Sequence, residues 1–383
     1  MSTTLLCLCQ DNRAGCPPCS AHARLQFTAF AAREPGATPG RLIEQAVQQD
    51  RADVVLGIVQ NTGIDVNQIC DPQRHDSVSP LMTALGAGSA RIVSLIAGQP
   101  GFDRALSLPA FERWAWARSS SLEVLLAYLG IPGSDVNEQD GNGKTLLHEV
   151  VYDARSQDKL LALLARPGIA IDAMQVDATT PAYRAGLTGN SAALALLLDR
   201  GADVNNRNND NRWTILMCAA AENRVAIAQE LLRCSGIDVN AADDIQNTAL
   251  HFAAERGHTA MVERLLQHPA IQVNLRNHMG WAALSKAAFA GHVQVVQRLL
   301  ERPELQANAV DQQRQTALFH AASAGQLEVV RLLLADPRTN AAISNRPAHL
   351  TAGDMARALG FGSIAELVER HGRGVDDVAP GTP

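Results

Sequence analysis

A period of about 34 residues runs through most of the chain, and no other feature restricts its fold as strongly. Successive segments follow one another at steps of 35, 34, 34, 34, 34 and 35 residues, and they open at Thr145, Thr180, Thr214, Thr248, Ala282, Thr316 and Thr351. Looser copies open at Ser79 and near Phe111 and Arg41. A fixed period of this length indicates stacked repeats that bury a core only together, and it predicts about ten repeats between residues 41 and 371.

Each repeat has the pattern of a helix, a turn and a second helix. Small residues such as Ala253 and Ala254 lie on the first helix, where a neighbouring helix must come close. Nine residues after the opening, the chain must leave this helix with a positive φ, which glycine tolerates best. The residues at this position are Gly88, Gly189, Asn223, Gly257, Gly291, Gly325 and Gly360. The second helix carries a pair of leucines, as at Leu265-Leu266, which predicts one buried stripe.

A loop with the pattern Asp-Val-Asn closes several repeats, for example at Asp203–Asn205 and Asp238–Asn240. This loop, the Thr-Ala-Leu-His opening at Thr248, the Gly257-His258 turn and the leucine pair together resemble the ankyrin repeat. The resemblance covers roughly 330 of the 383 residues. It implies an all-α solenoid of about ten helix-turn-helix units joined by hairpin loops, and a protein-binding module in which extended surfaces hold a partner.

Composition and charge agree with this interpretation. Hydrophobic residues make up 46% of the chain but aromatic residues only 4%, which suits closely packed helices. The net charge of −6 offers no basic field for nucleic acid or an anionic membrane. We expect a monomeric, cytoplasmic protein with three parts: a disordered, cysteine-containing leader over residues 1–40, the repeats over residues 41–371, and a disordered tail over residues 372–383.

The resemblance also implies which side chains face a partner. In ankyrin repeats, these are the positions one, three and four residues before the opening residue, and seven and eight residues after it. The partner-binding residues predicted in this way are Asn211, Trp213, Ile245, Asn247, Met279, Trp281, Phe289 and Gln313. Aromatic and apolar side chains clustered on consecutive repeats indicate a binding site. In the alternative interpretation, each ring packs onto the neighbouring tip and is half-buried. Trp114 and Trp116 are predicted to lie in the core.

No motif for catalysis appears in the sequence. The chain has no glycine-rich phosphate loop, no His-Glu-x-x-His helix and no Gly-x-Ser-x-Gly turn. His148 and His251 fall in the opening turn, and His258 and His292 follow the turn glycine, so we interpret all four as structural. The sequence therefore predicts a protein that is not an enzyme and needs no cofactor.

The cysteines near the start leave several alternatives open. Cys7, Cys9, Cys16 and Cys19 give the spacing C-x-C-x₆-C-x₂-C, and four thiolates could hold one zinc ion. The C-x-C half is unusual for zinc. Unpaired thiols in a disordered leader, a redox-active pair and lipidated cysteines are the other interpretations.

Three functional hypotheses follow from these observations. The first is a cytoplasmic scaffold that binds a protein on its concave face. The second is a bacterial effector secreted into a host cell, with the leader as export signal; the chain has only three lysines among its 33 basic residues, which is compatible with escape from ubiquitination. The segment Leu108–Glu112 resembles the opening of an F-box, which would imply an adaptor. The third is a thiol- or zinc-dependent switch.

Overall fold

The computed structural model describes residues 17–67, 78–103 and 115–372, and over these ranges it contains 21 α-helices and no β-strand. Twenty of these helices form ten consecutive pairs, so the all-α helical solenoid predicted from the period is confirmed. The chain divides into two compact units, residues 1–176 and residues 177–383, and each is described by itself.

The first unit contains nine of the helices and one 3₁₀ turn, over Ala154–Ser156. The helices are α1 (Pro17–Ala31), α2 (Pro39–Gln48), α3 (Ala52–Thr62), α4 (Pro80–Ala87), α5 (Ala90–Ala97), α6 (Ala115–Ser119), α7 (Leu122–Leu129), α8 (Leu146–Val150) and α9 (Gln157–Leu164).

The second unit contains six complete helix pairs among its described residues. They are α10 (Pro181–Thr188) and α11 (Ser191–Asp199), α12 (Ile215–Ala221) and α13 (Val225–Leu232), α14 (Ala249–Glu255) and α15 (Thr259–Leu266), α16 (Ala283–Ala290) and α17 (Val293–Leu300), α18 (Ala317–Ser323) and α19 (Leu327–Ala335), and α20 (Ala352–Ala358) and α21 (Gly362–Gly372).

The helices of the second unit form two layers. Each first helix packs against the first helices before and after it, and the second helices pack against one another in the same way. Ala253 and Ala254 of α14 are fully buried, because only small side chains fit where the first helices approach. In each leucine pair the first member is fully buried, as at Leu265 and Leu299. The pattern of the sequence thus predicts the core correctly.

The turn between the two helices of a repeat takes the expected left-handed conformation. Gly257 has φ 72° and Gly291 has φ 81°, and Asn223 adopts the same region with φ 54°. An asparagine side chain tolerates this region better than most others. The prediction made from the recurring glycines is confirmed.

The opening of the first repeat differs from the prediction. The sequence pattern places it near Arg41, yet Thr38 caps α2, and its Oγ1 accepts a hydrogen bond from the N–H of Arg41 at 3.3 Å. Pro39 then occupies the first turn, where its missing N–H costs nothing. The repeat therefore opens at Thr38, three residues earlier.

The leader is helical where it is described, which corrects the expectation of disorder up to residue 40. Helix α1 packs on α3, with Ala23 and Phe30 buried. Gly57 of α3 permits this approach, because a Cβ there would overlap the backbone of Ala23. Arg24 Nε also donates to Asn61 Oδ1 at 2.9 Å. Residues 1–16 and 373–383, and the segment Leu108–Glu112 with Trp114, lie outside the described residues, whereas Trp116 is buried as expected.

The asparagine that closes each hairpin joins one repeat to the next. Asn240 Nδ2 donates to the carbonyl oxygen of Ala270 at 2.7 Å, and Asn240 Oδ1 accepts from the N–H of Gln272 at 2.9 Å. The same pair of bonds is made by Asn67, Asn137, Asn205, Asn274 and Asn308. The interpretation of these asparagines as hairpin residues is confirmed.

A second inter-repeat contact involves the residue that precedes each second helix. His258 Nε2 lies 3.2 Å from the carbonyl oxygen of Ala221, and His292 Nε2 lies 2.9 Å from that of Glu255. Each carbonyl belongs to the last turn of a helix, where no partner exists within the helix. Since a carbonyl can only accept, the imidazole donates in both contacts. The structural role expected of His258 and His292 is confirmed.

Candidate functional site

The hairpin tips of the second unit have a backbone that is fixed from within. Asp243 Oδ1 accepts hydrogen bonds from the N–H groups of Ile245 and Asn247, at 3.0 and 2.7 Å. In the next repeat Asn277 Oδ1 accepts from Met279 and Trp281, both at 3.0 Å. The polar side chain of each tip is therefore buried, whereas Ile245, Gln246 and Met279 are exposed.

Neighbouring tips are also bonded to each other through the backbone. The N–H of His278 donates to the carbonyl oxygen of Ile245 at 2.9 Å, and the N–H of Gln312 donates to that of Met279 at 3.3 Å. The N–H of Arg346 donates to the carbonyl oxygen of Gln313 at 2.8 Å. These bonds make a continuous strip, here called the tip ridge, from residues 243–247 through 277–281 and 311–315 to 345–350.

Three apolar side chains are exposed on or beside this ridge, in consecutive repeats. Ile245 is 55% exposed, Met279 56% and Phe289 48%. We call these three residues the apolar patch. Burying them against a partner would remove apolar surface from water, and each fully buried side chain of this size is worth roughly 1.5–3 kcal/mol. The register of the repeat predicted all three positions.

The two predicted tryptophans are more buried than the residues of the apolar patch. The ring of Trp281 lies 5.5 Å from that of Phe289 and 4.1 Å from that of His320, centroid to centroid, and we call these three residues the aromatic cluster. The ring of Trp213 packs on Phe252 at 4.4 Å. Both tryptophans are half-buried, as in the alternative interpretation, so each presents one part of its ring to solvent.

Asn247 is not available to a partner, which corrects one predicted position. Its residue is 3% exposed, and its Oδ1 accepts a hydrogen bond from Asn277 Nδ2 at 2.9 Å. The carboxamide therefore links two adjacent tips. Asn211 is half-buried and accepts from the N–H of Trp213 at 3.2 Å, whereas Gln313 is exposed as expected.

The histidine of the opening turn is neutral and structural. His251 Nδ1 accepts from the N–H of Thr248 at 3.1 Å, and His251 Nε2 lies 3.0 Å from the carbonyl oxygen of Trp281 in the next repeat. Burial lowers the pKa of His251 to about 4. The corresponding His148 makes the same contact with the N–H of Thr145 at 3.1 Å. The structural interpretation of both histidines is confirmed.

His320 of the aromatic cluster forms a buried titratable pair with Asp311. His320 Nε2 is 3.1 Å from Asp311 Oδ2, and both side chains are almost completely buried. Burial lowers the pKa of His320, while the carboxylate of Asp311 opposes this change. Asp311 Oδ1 also accepts from the N–H groups of Gln313 and Gln315, at 2.9 and 2.7 Å. The pair therefore supports the tip above it.

One row of exposed residues at the hairpin tips is not predicted from the sequence. Two residues before each opening, the chain adopts a positive φ, and this position is Gly280 in one repeat but Arg212, Gln246 and Arg314 in others. Their side chains are exposed. Gly143 and Gly280 were the available signal, because they share a register that favours a left-handed residue. Leu359, in the turn between α20 and α21, is a further exposed apolar residue that the sequence pattern did not predict as part of the site.

Groups that could hold a metal ion are absent from the described ranges, where no three His, Cys, Asp or Glu side chains converge. Of the predicted cysteine cluster, Cys7, Cys9 and Cys16 lie outside those ranges, and Cys19 lies in α1.

None of the helices in the described parts of the chain has both the length and the apolar character needed to cross a lipid bilayer.

Comparison with known proteins gives two findings. The family model described as ankyrin repeats (3 copies) matches residues 154–243, 205–277 and 271–345, which together cover half of the chain. An ankyrin repeat protein of fowlpox virus (strain NVSL) is 28% identical over 148 aligned residues, which cover 31% of this chain and 22% of the viral protein. The chain thus matches about a fifth of the length of that relative.

Proposed function

The chain belongs to the ankyrin-repeat family, and from this premise we propose that it is a non-enzymatic scaffold whose tip ridge and apolar patch bind another protein. The ankyrin repeat is a protein-interaction module, and repeat proteins use the surface formed by tips and first helices for binding. The fold does not by itself determine the partner. The partner site must therefore be argued from the residues on that surface.

The observation that carries the proposal is the exposure of Ile245, Met279 and Phe289 on two consecutive repeats. The fold does not need apolar side chains at Ile245 and Met279, because the backbone of each tip is already held by Asp243 or Asn277. The half-buried rings of Trp213 and Trp281 extend the same surface. Aromatic side chains packed on a rigid support lose little entropy on binding, which makes them effective anchors.

The test is an affinity pull-down analysed by mass spectrometry. The triple variant Ile245→Ala/Met279→Ala/Phe289→Ala removes the apolar patch and leaves both tryptophans in place. Val293→Ala is the matched control, since Val293 is an exposed apolar residue on the second helix of the repeat that contains Phe289. We expect a partner that is retained by the wild type and the control and lost by the triple variant. A partner retained by all three proteins would contradict the proposal.

One observation favours the second candidate, an effector delivered to a host cell. Each of the three lysines has an engaged ammonium group. Lys144 pairs with Glu149 at 3.3 Å, Lys286 pairs with Glu255 at 3.1 Å, and Lys159 donates to three carbonyl oxygens. Few and occupied lysines would slow ubiquitination. A secretion assay with residues 1–40 fused to a reporter tests this candidate, and metal analysis of a cysteine-to-serine variant tests the thiol or zinc switch.

A further inference from the structure

The last three tips of the tip ridge carry positive charge without exposed negative charge. Arg276, Arg314 and Arg346 are exposed there, and the exposed His278 and His349 lie beside them. Asp311 is the only acidic residue within residues 275–281, 309–315 and 341–350. Its carboxylate is buried, accepts hydrogen bonds from the tip backbone and lies 3.1 Å from His320 Nε2. The edge is therefore basic in a chain with a net charge of −6.

Two of these arginines have guanidinium groups that bond to nothing in the described parts of the chain. Arg276 donates to the carbonyl oxygen of Val310 at 2.9 Å, whereas Arg314 and Arg346 make no side-chain hydrogen bond or ion pair there. They are on adjacent tips, because the N–H of Arg346 donates to the carbonyl oxygen of Gln313. Free guanidinium groups on a fixed backbone can pair with carboxylates in the two-point geometry that suits arginine.

Apolar surface lies directly beside this basic edge. The N–H of Gln312 joins the tip of Arg314 to the carbonyl oxygen of Met279, so the exposed Met279 side chain is on the neighbouring tip. Phe289 lies on the first helix of the same repeat as Met279, and its ring contacts Trp281. The nearby cation of Lys286 is already neutralised by Glu255. Arg314 and Arg346 are therefore the cations available to a charged ligand, and Met279 and Phe289 are the residues available to its apolar side chains.

We infer that the tip ridge between Met279 and Arg346 binds an acidic peptide segment of the partner protein. Carboxylates of the segment pair with Arg314 and Arg346, and one or two large apolar side chains rest on Met279 and Phe289. Complementary charge suits this class of segment and excludes a basic one, since like charges brought together across an interface are costly. This inference rests on the proposed function and specifies the chemistry of its ligand.

The test selects peptides from a random 16-residue display library on the full chain. The enriched peptides are then synthesised with a fluorescent label, and their affinities are measured by anisotropy at several salt concentrations. We expect enriched peptides with net negative charge and at least one Leu, Phe or Trp. Their affinity should fall as salt rises, because ions screen exposed charge pairs.

Three double variants separate the contributions. Arg314→Glu/Arg346→Glu should weaken these peptides at least about tenfold, and Met279→Ala/Phe289→Ala should do the same. Arg91→Glu/Arg166→Glu makes the same change in net charge at two exposed arginines of the first unit, and it should leave the affinity unchanged within about twofold. Circular dichroism and thermal unfolding show whether each variant keeps the fold.

The outcomes distinguish the inference from the proposed function. Enriched peptides that are neutral or basic, but that Met279→Ala/Phe289→Ala weakens, would overturn the acidic class and leave the protein-binding face in place. Acidic peptides weakened equally by both charge-reversal variants would overturn the inference as an effect of net charge. Peptides insensitive to every variant would overturn both, and a selection without enrichment would overturn the inference.

Discussion

His251 Nε2 lies 3.0 Å from the carbonyl oxygen of Trp281, so the opening turn of one repeat is hydrogen-bonded to the tip of the next. Because a carbonyl can only accept, Nε2 carries the proton, while Nδ1 accepts from the N–H of Thr248. The imidazole is therefore fully bonded in its neutral form. A second proton would have to go to Nδ1 and would remove the bond to Thr248.

The first prediction concerns pH. Burial lowers the pKa of His251 to about 4 in the folded protein, against about 6.5 when unfolded. Between these values only the unfolded chain binds the proton, so the stability present above pH 6.5 is lost as the pH falls towards 4. We expect a loss of about 3 kcal/mol from this group at most, and the lowered pKa of His320 adds a loss of the same sign.

Urea unfolding at pH 7, 5.5 and 4.5 measures this effect. His251→Gln should reduce the loss of stability between pH 7 and pH 4.5 relative to the wild type. His278→Gln, at an exposed histidine, should not. An equal pH dependence in the wild type and His251→Gln would show that the buried imidazole does not control acid stability.

The second prediction concerns the asparagine bonds between hairpins. Asn240→Ala removes the bonds to Ala270 and Gln272 and should lower the free energy of unfolding by about 2 kcal/mol, at 0.5–1.5 kcal/mol for each bond. Gln313→Ala is the control, because this exposed amide makes no side-chain hydrogen bond with the described residues. Equal unfolding free energies for the two variants would contradict the assigned role.

The third prediction concerns the left-handed residues of the tips. Gln246 has φ 63° and an exposed side chain. Gln246→Gly relieves the cost of the left-handed conformation, but glycine also gives the unfolded chain more conformational entropy, so the net stabilisation should be about 0.5 kcal/mol. Gly280→Ala should destabilise it by about 2 kcal/mol, because the new Cβ would lie 2.8 Å from the Cα of Asp311. Thermal unfolding measures both, and changes of the same sign would disprove the explanation.

The fourth prediction concerns Lys159 in the first unit. Its ammonium donates to the carbonyl oxygens of Ala117, Arg118 and Ser120, at 2.7, 3.2 and 2.9 Å, and so satisfies the end of α6. Lys159→Met should cost about 2–3 kcal/mol, since buried carbonyls would lose their donor. Arg166→Met, at an exposed arginine, is the control. Chemical denaturation measures both variants. Equal denaturation midpoints for Lys159→Met and Arg166→Met would refute this role.

The fold could be predicted from the sequence because one register repeats many times, and each copy supports the assignment of the others. The errors came where this register is interrupted. Thr38-Pro39 was overlooked because it lies 41 residues before Ser79, outside the regular step. Helix α1 could not be anticipated, since its order depends on the close approach of Ala23 to Gly57 in α3, a contact that no local pattern encodes.

The candidate site was predictable to the extent that position in the repeat determines exposure. Ile245, Met279 and Phe289 are exposed where the register places them. Asn247 is different, because its carboxamide meets Asn277 of the next repeat, and this pairing depends on the residues present at both positions. The exposed position of Arg314 was not predicted, because the sequence pattern indicated a left-handed residue only at the turn between the helices.

The contacts between repeats have a direction, and this restricts how the length of such a chain can change. Asn240 reaches forward to Ala270 and Gln272, while His292 reaches back to Glu255. Each repeat has hydrogen-bonding groups that are satisfied only by the following repeat, and it satisfies such groups of the preceding repeat. Duplication or deletion of a whole 34-residue segment preserves both sets of bonds, whereas a gain or loss of a few residues breaks them together. We therefore expect natural length variation in this array to occur in whole repeats.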